Sequence, residues 1–373
     1  MKLTELKLHD FRNYRNAKVR FDDGINVFIG DNAQGKTNLL EAIYVLALAR
    51  SHRTRNNRDL INWKHSVAQI QGTIRKRTGN LYLELDLSRW GKRAKVNHLE
   101  QSRLSSYIGQ MNVVMFSPDD LSIVKGAPRV RRRFMDMEFG QTSNRYLYNL
   151  SQYKDILKQR NRYLKDLQSQ QASDLVYLDV LSDQLSRYGA EIVFARVCLL
   201  KKLEHWSRRI DQKISLSTEH LRLHYETVLQ PDQLVSVRTI YRSLKKLYRQ
   251  ARPREIKLGT TSLGPQRDDL QFIVNGRDVQ TFGSQGQQRT SALSVKLAEI
   301  DLMKAETGEY PLLLLDDVLS ELDDRRQTHL LKTIQNKVQT FLTTTDLSGI
   351  ARNLIKDPKI FRITHGTIQV KND

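Results

Sequence analysis

The sequence of 373 residues contains a single cysteine, Cys198, which excludes a disulfide bond within the chain. Cys198 lies in an apolar stretch with helical spacing, and we interpret it as a core residue and not as a nucleophile. No run of residues approaches the roughly 18 apolar positions that a membrane-spanning helix needs. The first ten residues also lack the apolar centre of a signal peptide. These absences predict a soluble, cytoplasmic protein.

Acidic residues are few compared with basic ones. Asp and Glu number 41 against 61 Lys and Arg, which gives a formal net charge of +20. An excess of this size indicates a polyanionic partner such as nucleic acid. A membrane surface is a weaker alternative, because no basic amphipathic helix carries a Trp- or Phe-rich apolar face. A chain that is simply basic is the third interpretation.

The stretch at residues 30–37 reads G-x-x-x-x-G-K-T, which is the Walker A phosphate-binding pattern. A β-rich apolar stretch precedes it, and apolar residues at helical spacing follow it, as the pattern requires. The predicted ATP-binding residues are Gly30, Asp31, Asn32, Ala33, Gln34, Gly35, Lys36 and Thr37. In this pattern Lys36 reaches the β- and γ-phosphates, and the hydroxyl of Thr37 ligates Mg²⁺.

Two adjacent acids follow a run of four leucines at residues 312–315. Such a run predicts a buried parallel strand, whose carboxyl end is where α/β folds bind ligands. We predict that Asp316 holds Mg²⁺, directly or through water, and that Asp317 polarises the attacking water. Lys36 and Asp317 are thus the predicted catalytic residues. The alternative is an Asp pair that merely ends a structural strand at the solvent.

The pattern of the whole chain predicts an α/β protein with an inserted helical arm. Strands are predicted at residues 3–8, 16–21, 25–29, 68–75, 81–88, 95–99, 111–116, 270–274, 279–280, 340–345, 360–363 and 367–370. Residues 137–250 have a helical pattern that Pro253 ends, and their apolar stripes predict two antiparallel helices. The predicted domains are a head of residues 1–128 and 256–373 and an arm of residues 129–255.

Two basic segments are candidate contacts for nucleic acid. Residues 50–58 contain four arginines and no acid. Residues 238–257 contain eight Lys or Arg against one Glu, with Tyr241 and Tyr248 between them. Each segment is interpreted either as a solvated surface or as a contact to backbone phosphates.

A second glycine-containing turn, at residues 282–289, leads into a helix predicted over residues 290–305. It resembles the L-S-G-G-Q signature of ABC-type ATPases: Ser284, Gly286 and Gln287 match, and Gln285 stands where glycine is usual. Residues 320–323 resemble the D-loop of that family. The resemblance implies a mixed sheet with flanking helices and an antiparallel β subdomain. It also implies that the signature contacts the γ-phosphate held by a second, head-to-tail subunit.

Four stretches, at residues 11–14, 118–136, 282–289 and 314–323, are similar in order to those of the RecF family. The resemblance implies a slow, DNA-dependent ATPase that uses ATP and Mg²⁺. It further implies ATP-dependent dimerisation on single-stranded or gapped DNA, loading of RecA together with RecO and RecR, and a part in SOS induction. Two departures are Gln266, where relatives often have His, and Thr345, which precedes Asp346 where ABC transporters place a switch histidine.

Two other classes of function stay open. One is an SMC-like structural DNA clamp whose ATP site controls dimerisation only, although the segment between the Walker motifs is too short for SMC-type arms. The other is a small-molecule P-loop kinase. The kinase interpretation predicts a monomer in which residues 284–287 have no role. The net charge of +20 disfavours this interpretation.

Overall fold

The computed structural model of the chain describes residues 1–335, 337–345, 354–355 and 357–371. The strands are β1 (Lys2–Phe11), β2 (Tyr14–Arg20), β3 (Ile25–Ile29), β4 (Val67–Lys76), β5 (Gly79–Ser88), β6 (Lys92–Val96), β7 (Leu99–Glu100), β8 (Val113–Phe116), β9 (Leu221–Glu226), β10 (Asp269–Val274), β11 (Arg277–Asp278), β12 (Leu312–Asp316), β13 (Thr340–Thr344), β14 (Lys359–Thr364) and β15 (Thr367–Lys371). The helices are α1 (Lys36–Leu48), α2 (Leu104–Tyr107), α3 (Leu121–Lys125), α4 (Pro128–Thr142), α5 (Asn144–Gln168), α6 (Leu175–Ile214), α7 (Val237–Leu258), α8 (Val279–Phe282), α9 (Gln285–Thr307) and α10 (Asp324–Ile334). None of these helices is long and apolar enough to cross a membrane.

The chain forms two compact units. The first contains Met1–Asp120, Ile210–Thr218 and Ala292–Asp373, and the second contains Leu121–Arg209 and Glu219–Ser291. Residues 256–291 therefore group with the helical unit, whereas the predicted domains assign them to the head. The reason is strand pairing, because β10 pairs antiparallel with β9 along its whole length.

The central sheet of the first unit has the strand order β15-β14-β3-β13-β12-β8. All neighbours are parallel except β15, which forms an antiparallel edge. Parallel strands covered on both faces need apolar side chains throughout, and the leucines of β12 are fully buried. The phenylalanine rings packed beside this sheet have centroids 4.9 to 6.2 Å apart, and they are Phe21, Phe28, Phe341 and Phe361.

An antiparallel sheet of order β2-β1-β4-β5-β6-β7 completes the first unit. Helix α1 is buried on nearly every side because it contacts strands of both sheets. Gly72 on β4 permits this close approach, since a Cβ atom there would lie only 2.5 Å from Cδ2 of Leu46. The predicted combination of a mixed sheet and an antiparallel subdomain is present, and the helix after the phosphate loop lies in its core.

Helices α5 and α6 in the second unit run antiparallel, as the stripes predict. Near the turn that joins them, the Tyr163 hydroxyl donates to the Asp174 carbonyl at 2.8 Å. Further along, Arg145 of α5 pairs with Glu191 of α6 at 2.8 Å. Positions nearer the start of α5 thus contact positions further along the chain toward the end of α6. This is the arrangement of two antiparallel helices.

The prediction that Pro253 ends the helical region is wrong, because α7 continues to Leu258. The last turn is held by Glu255, which is fully buried and forms an ion pair of 2.7 Å with Arg160 on α5. Breaking a buried pair of this kind costs several kcal/mol, roughly 3 to 5, which is comparable to the cost of about 3 kcal/mol for a proline inside a helix. Gly259, at φ 63°, then ends the helix.

Two further predictions are corrected. The region predicted as helical contains strand β9, in which Leu221 and Leu223 are buried and alternate with exposed residues. Residues 279–280, predicted as a strand, begin helix α8, because the Asp278 carboxylate accepts hydrogen bonds from the backbone N–H groups of residues 280 and 281.

Candidate nucleotide-binding site

The phosphate loop lies between β3 and α1, the context that the Walker A pattern requires. Gly30 has φ 153° and Gly35 has φ 118°, so both adopt backbone conformations that favour glycine. A side chain would also not fit at either position. A Cβ atom at Gly30 would lie 2.4 Å from the Ile363 carbonyl oxygen, and one at Gly35 would lie 2.5 Å from Nδ2 of Asn13.

Lys36 begins α1 and folds back over the loop. Its Nζ donates to the carbonyls of Gly30 at 2.6 Å and Asp31 at 2.9 Å, and the side chain is 8% exposed. Burial lowers the pKa of Lys36, and the nearby carboxylates of Asp317, Asp31 and Asp316 oppose this shift. The structure therefore places a largely buried ammonium group, flanked by acids, directly at the loop.

Thr37 and Asp316, the predicted magnesium ligands, meet across the sheet edge. The Thr37 hydroxyl donates to Oδ1 of Asp316 at 2.9 Å. These are the oxygen donors that Mg²⁺ prefers, so the residues fit the ion. Across the described ranges no group of three or more His, Cys, Asp or Glu side chains could hold a metal. In nucleotide sites Mg²⁺ is generally held by one or two protein oxygens together with phosphate oxygens and water.

Thr343 on β13 connects both acids and was missed by the sequence analysis. Its hydroxyl donates to Oδ1 of Asp316 at 2.8 Å and accepts from the backbone N–H of Asp317 at 2.9 Å. Asp317 has φ 53°, and its side chain is exposed. The sequence signal for this contact was a threonine in β13, the strand that pairs with the strand that ends in the two acids. Its hydroxyl fixes the position of Asp316 and the backbone of Asp317.

The turn at residues 11–14 contacts the phosphate loop directly. Nδ2 of Asn13 donates to the Gln34 carbonyl at 3.0 Å, and the Tyr14 hydroxyl donates to the Gly35 carbonyl at 2.9 Å. A second turn, between β14 and β15, adds a bond of 3.1 Å from the Gly366 N–H to the Gln34 carbonyl. Residues 11–14 are one of the stretches similar to the RecF family, and nothing in their sequence predicts this contact with the loop.

Arg12 of the same turn forms a buried ion pair with α1. Its Nε and Nη2 atoms each lie 2.9 Å from an oxygen of Glu41, whose side chain is fully buried. The Ser51 hydroxyl also donates to Glu41, and Nη1 of Arg12 donates to the Asp59 carbonyl at 2.6 Å. These bonds attach the basic loop of residues 50–58 to the helix of the phosphate loop.

A cavity of about 870 Å³ opens beside these contacts. Its walls include Arg12, Arg53, Arg58, Trp63 and His65. The Trp63 side chain is 99% exposed. The cavity therefore combines cationic groups with an exposed aromatic ring next to the phosphate loop, which suits a polyanion that carries a planar group.

The predicted signature residues belong to the second unit. Ser284 and Gln287 form a reciprocal cap of α9: the Gln287 N–H donates to Oγ of Ser284 at 3.2 Å, and the Ser284 N–H donates to Oε1 of Gln287 at 3.0 Å. The helix thus begins at Gln285, earlier than predicted, and Gly286 lies in its first turn. The hydroxyl hydrogen of Ser284 has no acceptor within the described part of the chain, so it is free to donate to a ligand.

The two departures from the family pattern have different outcomes. Gln266 accepts a hydrogen bond from the Tyr153 hydroxyl, and its Nε2 donates to the Leu263 carbonyl at 2.7 Å. This gives Gln266 a structural role in its own loop. Thr345 follows β13, and Asp346 lies outside the described residues.

Comparison with known proteins extends over nearly the whole chain. The family described as the RecF/RecN/SMC N terminal domain matches residues 2–367. DNA replication and repair protein RecF of Latilactobacillus sakei is 61% identical over 369 residues, which cover 99% of this chain and 98% of that protein. RecF of Enterococcus faecalis is 54% identical over 370 residues and covers 99% of both chains.

Solved structures agree. The recombination mediator protein RecF with ATP in the RecFOR pathway has a TM-score of 0.91 at 32% identity, and 99% of this chain and 97% of that chain are covered. An Smc head bound to the C-winged helix domain of ScpA has a TM-score of 0.59 at 14% identity, over 100% and 97% of the two chains, which shows a shared fold alone. The predicted ABC-type ATPase head fold and the predicted family are confirmed. The chain therefore belongs to the RecF family of DNA replication and repair proteins.

Proposed function

We propose that this chain is a DNA-binding ATPase of replication and recombinational repair, and that ATP acts as its switch. The observation that carries the proposal is the 2.9 Å contact between Thr37 and Asp316 beside the Lys36 ammonium group. This contact joins the two halves of a nucleotide site in a chain that is 61% identical to a RecF protein. The relative solved with ATP supports the choice of nucleotide.

The proposed roles follow from the position of each group. Lys36 binds the β- and γ-phosphates, and the loop N–H groups of residues 30–37 share the remaining charge. Thr37 and Asp316 would hold Mg²⁺, which would supply positive charge to offset the charge that develops on the phosphates. The exposed carboxylate of Asp317 orients the attacking water. Because a short acid serves this step, we propose slow turnover. From the similarity to RecF proteins we propose that turnover depends on DNA.

We further propose that two copies dimerise head-to-tail around ATP, and that Ser284, Gln285, Gly286 and Gln287 act in trans on the partner's γ-phosphate. By analogy with the relative in the RecFOR pathway, the proposed partners are RecO and RecR, with loading of RecA at single-stranded or gapped DNA, a part in SOS induction and a cytoplasmic location. In functional terms, residues 1–128 and 256–373 would act as the head, and residues 129–255 as the arm.

Ser284→Arg should bind ATP as a monomer but fail to dimerise, because the added side chain fills the space that the partner's phosphate must enter. Light scattering with ATP should give twice the monomer mass for the unmodified protein and the monomer mass for S284R. Ser236→Arg is the matched control, since Ser236 caps α7 in the same way as Ser284 caps α9. If S284R dimerises as the unmodified protein does, or if it loses ATP binding, the trans role of the signature is wrong.

The basic segment on α7 has a geometry suited to DNA. Arg238, Arg242, Lys246 and Arg249 are exposed and follow one another at intervals of four, four and three residues, so they form one stripe along the helix. Within the described residues, none of the four forms an ion pair. By contrast, Lys245 and Arg252 on the same helix pair with acids of α6. The stripe therefore presents uncompensated charge.

Lys246→Ala/Arg249→Ala should weaken DNA binding at low salt and flatten its salt dependence. Each lost phosphate contact lowers the slope of log K against log salt by roughly 0.7 to 0.9, so the slope should fall by about 1.5. Lys245→Ala/Arg252→Ala removes the same residue types from the same helix and should change the slope far less. Titrations of single-stranded, duplex and gapped DNA, with and without ATP, measure both variants. Equal slopes for the two variants would exclude the stripe as the DNA surface.

A further inference from the structure

Two side chains of the turn between β1 and β2 hold the phosphate loop from outside. Asn13 donates to the Gln34 carbonyl at 3.0 Å, and Tyr14 donates to the Gly35 carbonyl at 2.9 Å. We propose that Asn13 and Tyr14 are positioning residues that set the loop in its nucleotide-binding conformation before the nucleotide arrives. The inference rests on the proposed ATP site and adds residues that the Walker A pattern does not contain.

The geometry of the peptide bond explains how these contacts act on the opposite side of the loop. In a planar trans peptide the C=O and N–H groups point in opposite directions. The Gln34 carbonyl shares its peptide plane with the Gly35 N–H, and the Gly35 carbonyl shares its plane with the Lys36 N–H. When both carbonyls are tied to the turn, the two N–H groups face away from it. An inward array of N–H groups is what a phosphate requires.

The neighbouring contacts leave the loop little freedom. The Gln34 carbonyl also accepts from the Gly366 N–H at 3.1 Å, and the Gln34 side chain accepts from the His365 N–H at 2.7 Å. Gly366 has φ 77°, and a Cβ atom there would lie 2.5 Å from the Asn13 carbonyl oxygen. The two turns and the loop thus pack backbone to backbone.

Tyr14 is suited to permanent donation. Its side chain is fully buried, and burial raises its pKa well above the usual value, so the hydroxyl stays protonated. Asn13 by contrast is exposed, so its replacement disturbs no core packing. One contact is therefore tested by removing a single buried oxygen and the other by changing a surface side chain.

Tyr14→Phe and Asn13→Ala should each weaken ATP binding roughly threefold to tenfold, the worth of one hydrogen bond that favours the competent loop. The apparent affinity for ATP falls in proportion to the fraction of molecules whose loop is in the binding conformation. At saturating ATP every loop is held in that conformation. The KM for ATP should therefore rise while kcat is unchanged. If Asn13 and Tyr14 had only a structural role, the substitutions would lower the free energy of unfolding without raising the KM for ATP at constant kcat.

Tyr107→Phe is the matched control. The Tyr107 hydroxyl is also buried and donates at 2.6 Å to a backbone carbonyl, that of Leu46 at the other end of α1. Y107F should lose stability to urea as Y14F does, yet keep the affinity for ATP of the unmodified protein. N13A keeps the test decisive if Y14F does not fold.

Equilibrium dialysis with ATP on the unmodified protein, K36A, Y14F, N13A and Y107F separates the outcomes. Weakened binding by K36A, Y14F and N13A with normal binding by Y107F supports the inference. If K36A fails to bind while Y14F and N13A bind like the unmodified protein, the positioning role is overturned and the ATP site stands. If K36A itself binds normally, the ATP site is misassigned.

Discussion

Lys36→Ala should bind ATP at least about 100-fold more weakly than the unmodified protein, since two charge-assisted hydrogen bonds to phosphate are each worth roughly 1.5 to 3 kcal/mol. The ammonium group already lies at the loop, where it donates to the carbonyls of Gly30 and Asp31. Binding of the phosphates exchanges these neutral acceptors for charged ones. Calorimetric titration with ATP in the presence of Mg²⁺ measures the loss.

Lys92→Ala provides a close control for this loss. Lys92 also donates its Nζ to a backbone carbonyl, that of Ala49 at 2.5 Å, and burial lowers its pKa as it lowers that of Lys36. Both variants remove one ammonium group that donates to a backbone carbonyl beside an end of α1 and whose pKa is lowered by burial, but only Lys36 is at the loop. ATP binding by K36A within about threefold of the unmodified protein would refute the phosphate-loop assignment.

Local patterns could be predicted from the sequence because each one occupies consecutive residues. The phosphate loop needs two glycines, a lysine and a threonine between a strand and a helix, and all of these lie in one short stretch of the chain. The buried strand β12 was visible as four leucines followed by two acids. In both cases the sequence signal lies within about ten consecutive residues, so periodicity and turn chemistry suffice to recognise it, although β12 pairs with the distant strands β8 and β13.

Contacts between distant segments could not be predicted in this way. Thr343 holds Asp316 from a different strand, and Tyr14 reaches Gly35 from a separate hairpin. Neither contact produces a periodic pattern in the sequence. The extension of α7 past Pro253 likewise depends on the ion pair between Glu255 and Arg160, which are 95 positions apart. Tertiary contacts therefore overrode local preference at the places where prediction failed.

Strand β9 was missed for a different reason. Its six residues lie between the long helices α6 and α7, and its alternation of buried and exposed side chains is too short to interrupt a helical pattern. The partner strand β10 follows more than 40 residues later. A short strand whose partner is remote has no local signal apart from alternation, which here covers only Leu221, Leu223 and Tyr225.

Asp316→Asn and Asp317→Asn should have different effects although the residues are adjacent. Asp316 is 8% exposed and accepts from Thr37 and Thr343, so its loss should weaken binding of ATP that depends on Mg²⁺. Asp317 is exposed and only its backbone is fixed, so its loss should leave ATP bound. Asp324→Asn, an exposed acid in the first turn of α10, should change neither property.

Hydrolysis by D317N should fall roughly 10²- to 10⁴-fold, the usual contribution of a group that positions or activates water. Phosphate release after mixing with ATP measures the rate, and light scattering measures how long the dimer persists. D317N should therefore accumulate as an ATP-bound dimer that leaves DNA slowly. A D317N rate equal to that of the unmodified protein would remove Asp317 from the chemistry and favour a clamp whose nucleotide site controls assembly only.

Asp317→Glu tests whether the short acid limits turnover. The Asp317 N–H is held by Thr343 at 2.9 Å, and its backbone lies in the left-handed region at φ 53°, so the side chain can extend its reach only by gaining length. Most ABC-type ATPases have glutamate at the matching position. One added methylene should bring the carboxylate nearer the attacking water, raise hydrolysis and shorten the lifetime of the dimer. Unchanged hydrolysis and an unchanged lifetime in D317E would show that reach is not limiting, while the D317N result would still decide whether Asp317 acts on the water.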